Sequence, residues 1–138
     1  MKKSVFFLHI PKTAGTSINE VFRPVFEEVR FFDHCESRKQ ELLQNLAAED
    51  EPFFASGHLR FVNCADLVAN KKVFSMTVLR RPEQQLESHL NWVKAYGDPN
   101  AVERRRMIEP AIAELSTKLW SANLNDISEM RILMSQPV

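Results

Sequence analysis

From Val5 to Ile10 almost every side chain is apolar, and the run stops at Pro11. A strand covered on both faces in a parallel sheet carries such an unbroken run, whereas a strand with one wet face alternates. Val73-Phe-Ser-Met-Thr-Val-Leu79 has the same character and is stopped by Arg80-Arg81-Pro82. Two weaker runs, Val29–Phe32 and Pro52–Ser56, are further strand candidates, the second ending in Gly57-His58. Between the strands the apolar spacing changes to that of helices. The stretch from about Thr16 to Phe26 puts Ile18, Val21, Phe22 and Val25 on one side, and Pro24 kinks or ends it. Glu36 to Ala48 reads as a helix through Leu42, Leu43, Leu46 and Ala47, and Ala65 to Ala69 as a short one. Pro82 suits the first turn of a helix that runs through Leu86, Leu90 and Val93 to about Tyr96, with Gly97 as its stop. After the break Gly97-Asp-Pro-Asn100, residues 97–138 read as mainly helical, with Ile108, Ile112, Leu115 and Leu119 as one stripe, then Ile127, Met130 and Leu133.

Strands alternating with helices predict an α/β fold with a central parallel sheet. Ligands of such sheets bind beyond the carboxyl ends of the strands. The loops at residues 11–17, 57–58 and 80–82 all fall there. With 138 residues, 44% hydrophobic and 26% charged, one domain over 1–138 is expected. Lys+Arg and Asp+Glu both number 18, which disfavours a strongly basic nucleic-acid binder. No apolar stretch approaches the roughly 20 residues of a membrane span. Lys2 and Lys3 precede the first apolar run as in a signal peptide. That run is too short and is interrupted by Pro11 and Lys12, so a cytoplasmic location is expected. Cys35 and Cys64 stand far apart in no CxxC pair, which argues against a disulfide or a zinc site.

The loop after the first strand carries Lys12, Thr13, Gly15, Thr16 and Ser17. Strand, small-residue loop and helix together make an anion pocket: loop N–H groups converge, and the helix N-terminus adds about half a positive charge. It is not a Walker A loop, which needs GxxxxGK[ST], because here Lys12 precedes Gly15. The plainer reading is a tight turn capped by Thr16 or Ser17.

The pattern Pro-Lys-Thr-Ala-Gly-Thr-Ser17, preceded by His9-Ile10, resembles the 5′-phosphosulfate loop of the sulfotransferases that use 3′-phosphoadenosine 5′-phosphosulfate (PAPS). Among these the resemblance is to carbohydrate sulfotransferases related to heparan sulfate 2-O-sulfotransferase. The family's second signature, an Arg after a strand with a Ser eight positions on, is matched by Arg80 and Ser88. These would hold the 3′-phosphate, and a guanidinium suits a phosphate through bidentate bonds. Taken alone, Arg80 is more simply a solvated charge. In the relatives a His in a Gly-His context between the two motifs is the general base, and His58 in Ala55-Ser-Gly-His58 matches it. Gly57 would let the backbone turn His58 to the cleft, and histidine suits proton removal near neutral pH. His9 would orient the loop, and His34, His89 and their neighbours read as surface or structural. One departure is Gln85, where family members often carry an arginine.

The resemblance implies a P-loop-like three-layer fold, helices on both sheet faces and a helical C-terminal tail. It implies transfer of a sulfuryl group from PAPS to a hydroxyl of a carbohydrate or similar acceptor, without a metal. His58 and Lys12 would be catalytic, and Lys12, Thr13, Ala14, Gly15, Thr16, Ser17, Arg80 and Ser88 would bind the cosubstrate. Relatives continue past the position of Val138, so a truncated, compact or degenerate member is expected. Two alternatives stay open: a non-catalytic PAPS or nucleotide-binding module, and a P-loop kinase. Glu103-Arg-Arg-Arg106 reads first as a solvated helix face, and Trp92 and Trp120 as core.

Overall fold

The structure, a computed structural model, describes residues 3–37 and 40–135. The chain divides into two compact units, Met1–Arg80 and Arg81–Val138. The first is an α/β unit with four strands: β1 (Ser4–Leu8), β2 (Phe31–Phe32), β3 (Phe54–Gly57) and β4 (Val73–Thr77). They are all parallel and lie in the order β2-β3-β1-β4. The central strand β1 sets Phe6 opposite Ala55 on one side and Ser75 on the other.

The unbroken apolar run of β1 has its reason in this position. Phe6 faces Leu43 and Leu46 of α2 (Gln40–Ala48) and Cys64 and Leu67 of α3 (Phe61–Ala69). Val5 and Phe7 point the other way, into a cluster with Phe31 and Phe54 that Ile18 and Phe22 of α1 (Gly15–Phe22) and Phe26 cover. The sheet therefore has helices on both faces. Phe6, Phe7, Phe53 and Phe54 are fully buried, each a stabilisation of about 1.5–3 kcal/mol. The Phe54 ring stacks on Phe22 at 5.0 Å and on Phe31 at 4.8 Å.

Several boundaries differ from the periodicity. Helix α1 ends at Phe22, before Pro24, and its inward face is Ile18 and Phe22, one helical turn apart, while Val21 is 65% exposed. Val25 is exposed as well. Residues Cys35–Ser37 form a separate 3₁₀ turn, so α2 starts at Gln40. Helix α3 begins at Phe61 rather than Ala65, and its first two apolar residues are exposed, which is why spacing did not reveal them.

The second unit is helical: α4 (Pro82–Tyr96), α5 (Val102–Arg106), α6 (Pro110–Ser121) and α7 (Ile127–Ser135). Helix α4 has the predicted extent, with Pro82 in its first turn. Gly97 follows it because α6 approaches closely, and a Cβ there would meet the Ser116 carbonyl and the Trp120 Cβ. Arg105 donates to the carbonyls of Tyr96, Gly97 and Asp98 at 2.8, 3.0 and 2.8 Å. It thus satisfies the open end of α4, so one member of the basic run is a cap rather than a solvated charge. Trp92 and Trp120 correct the expectation of core packing. They are 37% and 42% exposed, and Trp92 stands in a row with His89 and Tyr96 along α4. Ile127 is exposed, and the Leu133 side chain lies outside the described residues. No helix among the described residues is long and apolar enough to cross a membrane.

Candidate functional site

Because β1, β3 and β4 are parallel, their carboxyl ends open on one edge of the sheet. Residues 9–17, 58–60 and 78–80 leave the strands there. In the first of these loops Lys12 and Ala14 both hold positive φ, 65° and 67°. The left-handed conformation costs a residue with a Cβ roughly 1–2 kcal/mol, and such strain persists only where the surroundings over-determine it. Left-handed residues within a turn are how successive N–H groups come to line a concave anion nest. Thr13, between them, is buried, and its Oγ1 donates to the Ile10 carbonyl at 2.7 Å. That hydroxyl holds the turn, so Thr13 has a backbone N–H to offer an anion. No side chain caps α1 at Ala14. Thr16 and Ser17 lie exposed in its first turn instead of closing it, which leaves the helix end to a ligand. An Ala14→Gly substitution should raise stability by about 1 kcal/mol by relieving the left-handed strain. Urea denaturation measures this, and an unchanged or lower midpoint would contradict the conformation at Ala14.

Gly15 is required for a reason other than φ, since no glycine among the described residues has positive φ. The His9 imidazole occupies the space where a Cβ on Gly15 would stand. His9 in turn stacks on Phe7 at 5.3 Å and meets the His58 ring at 4.1 Å. His58 Nδ1 lies 2.8 Å from the His9 carbonyl oxygen. A carbonyl only accepts, so Nδ1 carries a proton, and whenever the exposed ring is neutral its lone pair is on Nε2.

The backbone of His58 is held as well. Its N–H donates to Glu36 Oε2 at 2.9 Å, and Glu36 Oε1 lies 3.0 Å from His34 Nδ1. Gly57 accommodates this contact, because a Cβ there would come within 2.6 Å of Glu36 Oε2 and 2.9 Å of the Cys35 nitrogen. The expectation that Gly57 serves a backbone turn is thus corrected: it is the last residue of β3 and is needed for close approach. Burial, then the neighbouring His58, push the His9 pKa below its ordinary value, against the pull of Glu36. Burial would raise the Glu36 carboxyl, but hydrogen bonds from its own N–H, from the His58 N–H and from His34 outweigh it and hold the pKa low. Beneath these groups Ser56 Oγ donates to the buried Asn19 Oδ1 at 2.9 Å and ties β3 to α1.

Arg80 is exposed, three residues beyond β4, whose last residue Thr77 donates through Oγ1 to the Leu8 carbonyl. The first unit thus carries Lys12 to Ser17, His58 and Arg80 on one sheet edge. Ser88 belongs to the second unit, half-buried on α4, with Gln85 one turn before it. Sequence reasoning missed Glu36, which lies 22 residues before His58 in no recognisable spacing, and it undervalued His9. Among the described residues no group of three or more His, Cys, Asp or Glu is arranged to hold a metal ion. No family model, curated protein or solved structure matches the chain.

Proposed function

We propose that this chain transfers a sulfuryl group from PAPS to an acceptor hydroxyl. The observation that carries the reading is the His58 imidazole, fixed through Nδ1 on the His9 carbonyl, beside a strained, uncapped loop bearing Lys12. In this reading the Lys12 ammonium and the N–H groups of residues 13–17 grip the phosphosulfate. Arg80 takes the 3′-phosphate. The acceptor hydroxyl gives its proton to His58 Nε2 while its oxygen forms a bond to sulfur. The bond from sulfur to the 5′-phosphate oxygen breaks, and its electron pair leaves with that oxygen. Lys12 and the loop N–H groups stabilise the charge that builds there. No step calls for a metal ion.

Calorimetry with adenosine 3′,5′-bisphosphate, and separately with ATP and Mg²⁺, tests the donor half of this proposal. The bisphosphate should bind without Mg²⁺, and Lys12→Ala should weaken it about 10–100-fold, the worth of hydrogen bonds to a charged group. No binding, or tighter binding of Mg²⁺-ATP, would overturn the reading. Bisphosphate binding without any transfer would select a non-catalytic nucleotide module.

A further inference from the structure

Beside His58, and lined in part by the start of the loop, lies a pocket of about 320 Å³. Its walls are largely apolar: Leu8, Ile10, Pro11 and Leu59. His9, His58 and, from the residue just before α3, the exposed Arg60 complete the lining. Arg60 forms no side-chain hydrogen bond or ion pair with the described residues. We infer that this pocket is the acceptor site and that the acceptor is a small aromatic alcohol carrying an anionic substituent. The inference rests on the proposed sulfuryl transfer and names the acceptor of that same site.

Three physical points carry it. The volume is at the low end of the roughly 300–1,000 Å³ of small-molecule sites, so it suits one compact molecule rather than a sugar chain. A sugar presents hydroxyls on several sides. Each one turned to an apolar wall loses its water partner and costs roughly tenfold or more in affinity. A flat ring instead meets Leu8, Pro11 and Leu59 with apolar area, and its single hydroxyl reaches His58. A phenolic proton, with pKa about 10, is also matched to an imidazole base far better than an alkyl hydroxyl is. Arg60 supplies the remaining contact, a charge-assisted bond to a carboxylate or similar anion. The transfer keeps the balance given above: the phenolic oxygen gains the bond to sulfur and His58 Nε2 gains the proton.

The test titrates the full chain with 4-hydroxybenzoate, with 4-methylphenol and with methyl glucuronide, following the His9 and His58 ring protons by NMR. Parallel samples are titrated with adenosine 3′,5′-bisphosphate. 4-Hydroxybenzoate should shift both rings and bind about tenfold more tightly than 4-methylphenol, and Arg60→Ala should remove that difference. Glucuronide binding as tightly as 4-hydroxybenzoate, or no ring shift with either aromatic probe, would overturn the inference. The bisphosphate titration reads the donor loop separately, so a failed donor proposal and a failed acceptor inference give different results.

Discussion

A His58→Ala chain should transfer sulfate about 10²–10⁴-fold more slowly than the parent, the usual worth of a positioned general base, while binding adenosine 3′,5′-bisphosphate with unchanged affinity. The geometry makes this substitution informative. His58 is exposed, and its backbone N–H still reaches Glu36 when the side chain is an alanine. The loop from Pro11 to Ser17 keeps its own anchors, the Thr13 bond to Ile10 and the left-handed Lys12 and Ala14. The imidazole is therefore removed while the turn that grips the donor stays. The loss should fall on kcat and not on the donor KM, because proton removal belongs to the transition state. Single-turnover kinetics with saturating PAPS measures it. A variant that keeps full turnover would show that another group takes the proton.

The parts of this structure that were legible in the sequence are those written in a local code. The apolar run of β1 announces a strand covered on both faces, and Pro82 and Gly97 bracket α4 at its observed ends. The α/β class and the parallel sheet follow from alternation alone. The site is different in kind. Lys12 and Gly15 were visible as a loop, but nothing in their identity says that the positive φ falls on Lys12 and Ala14 while Gly15 is kept for space. Glycine marks both uses alike, and only the three-dimensional neighbour separates them. Glu36 was invisible because its contact with His58 spans 22 residues and comes from a 3₁₀ turn at the start of a stretch read as one helix. The outward Trp92 and Trp120 escaped for a related reason: helical spacing says which residues share a face, not which face is covered.

Gly15→Ala should destabilise the first unit by about 1–3 kcal/mol, the range for forcing an extra methyl group into a filled space. Two effects of opposite sign meet at this residue. Gly15 opens α1, and alanine would favour the helix there by up to about 1 kcal/mol. Against this, the new methyl would overlap the His9 imidazole, which is itself confined between Phe7 and His58. For the His9 ring to yield, it must leave the Phe7 stack and its tilted contact with His58, or α1 must move away from β1. The overlap is therefore expected to win. A double-mutant cycle isolates it. In a His9→Ala background the space over Gly15 is empty, so Gly15→Ala should there become neutral or stabilising. The coupling between the two sites should reach about 1–3 kcal/mol, read from urea midpoints of the four chains. An equal cost of Gly15→Ala in both backgrounds would show that the ring does not set the requirement. The same cycle followed by bisphosphate affinity links the packing to the proposed site. If the stack of His9 on Phe7 holds the loop in its strained form, both single variants weaken anion binding, and the double variant does not restore it, because the methyl is then accommodated but the stack on Phe7 that braces the loop is gone.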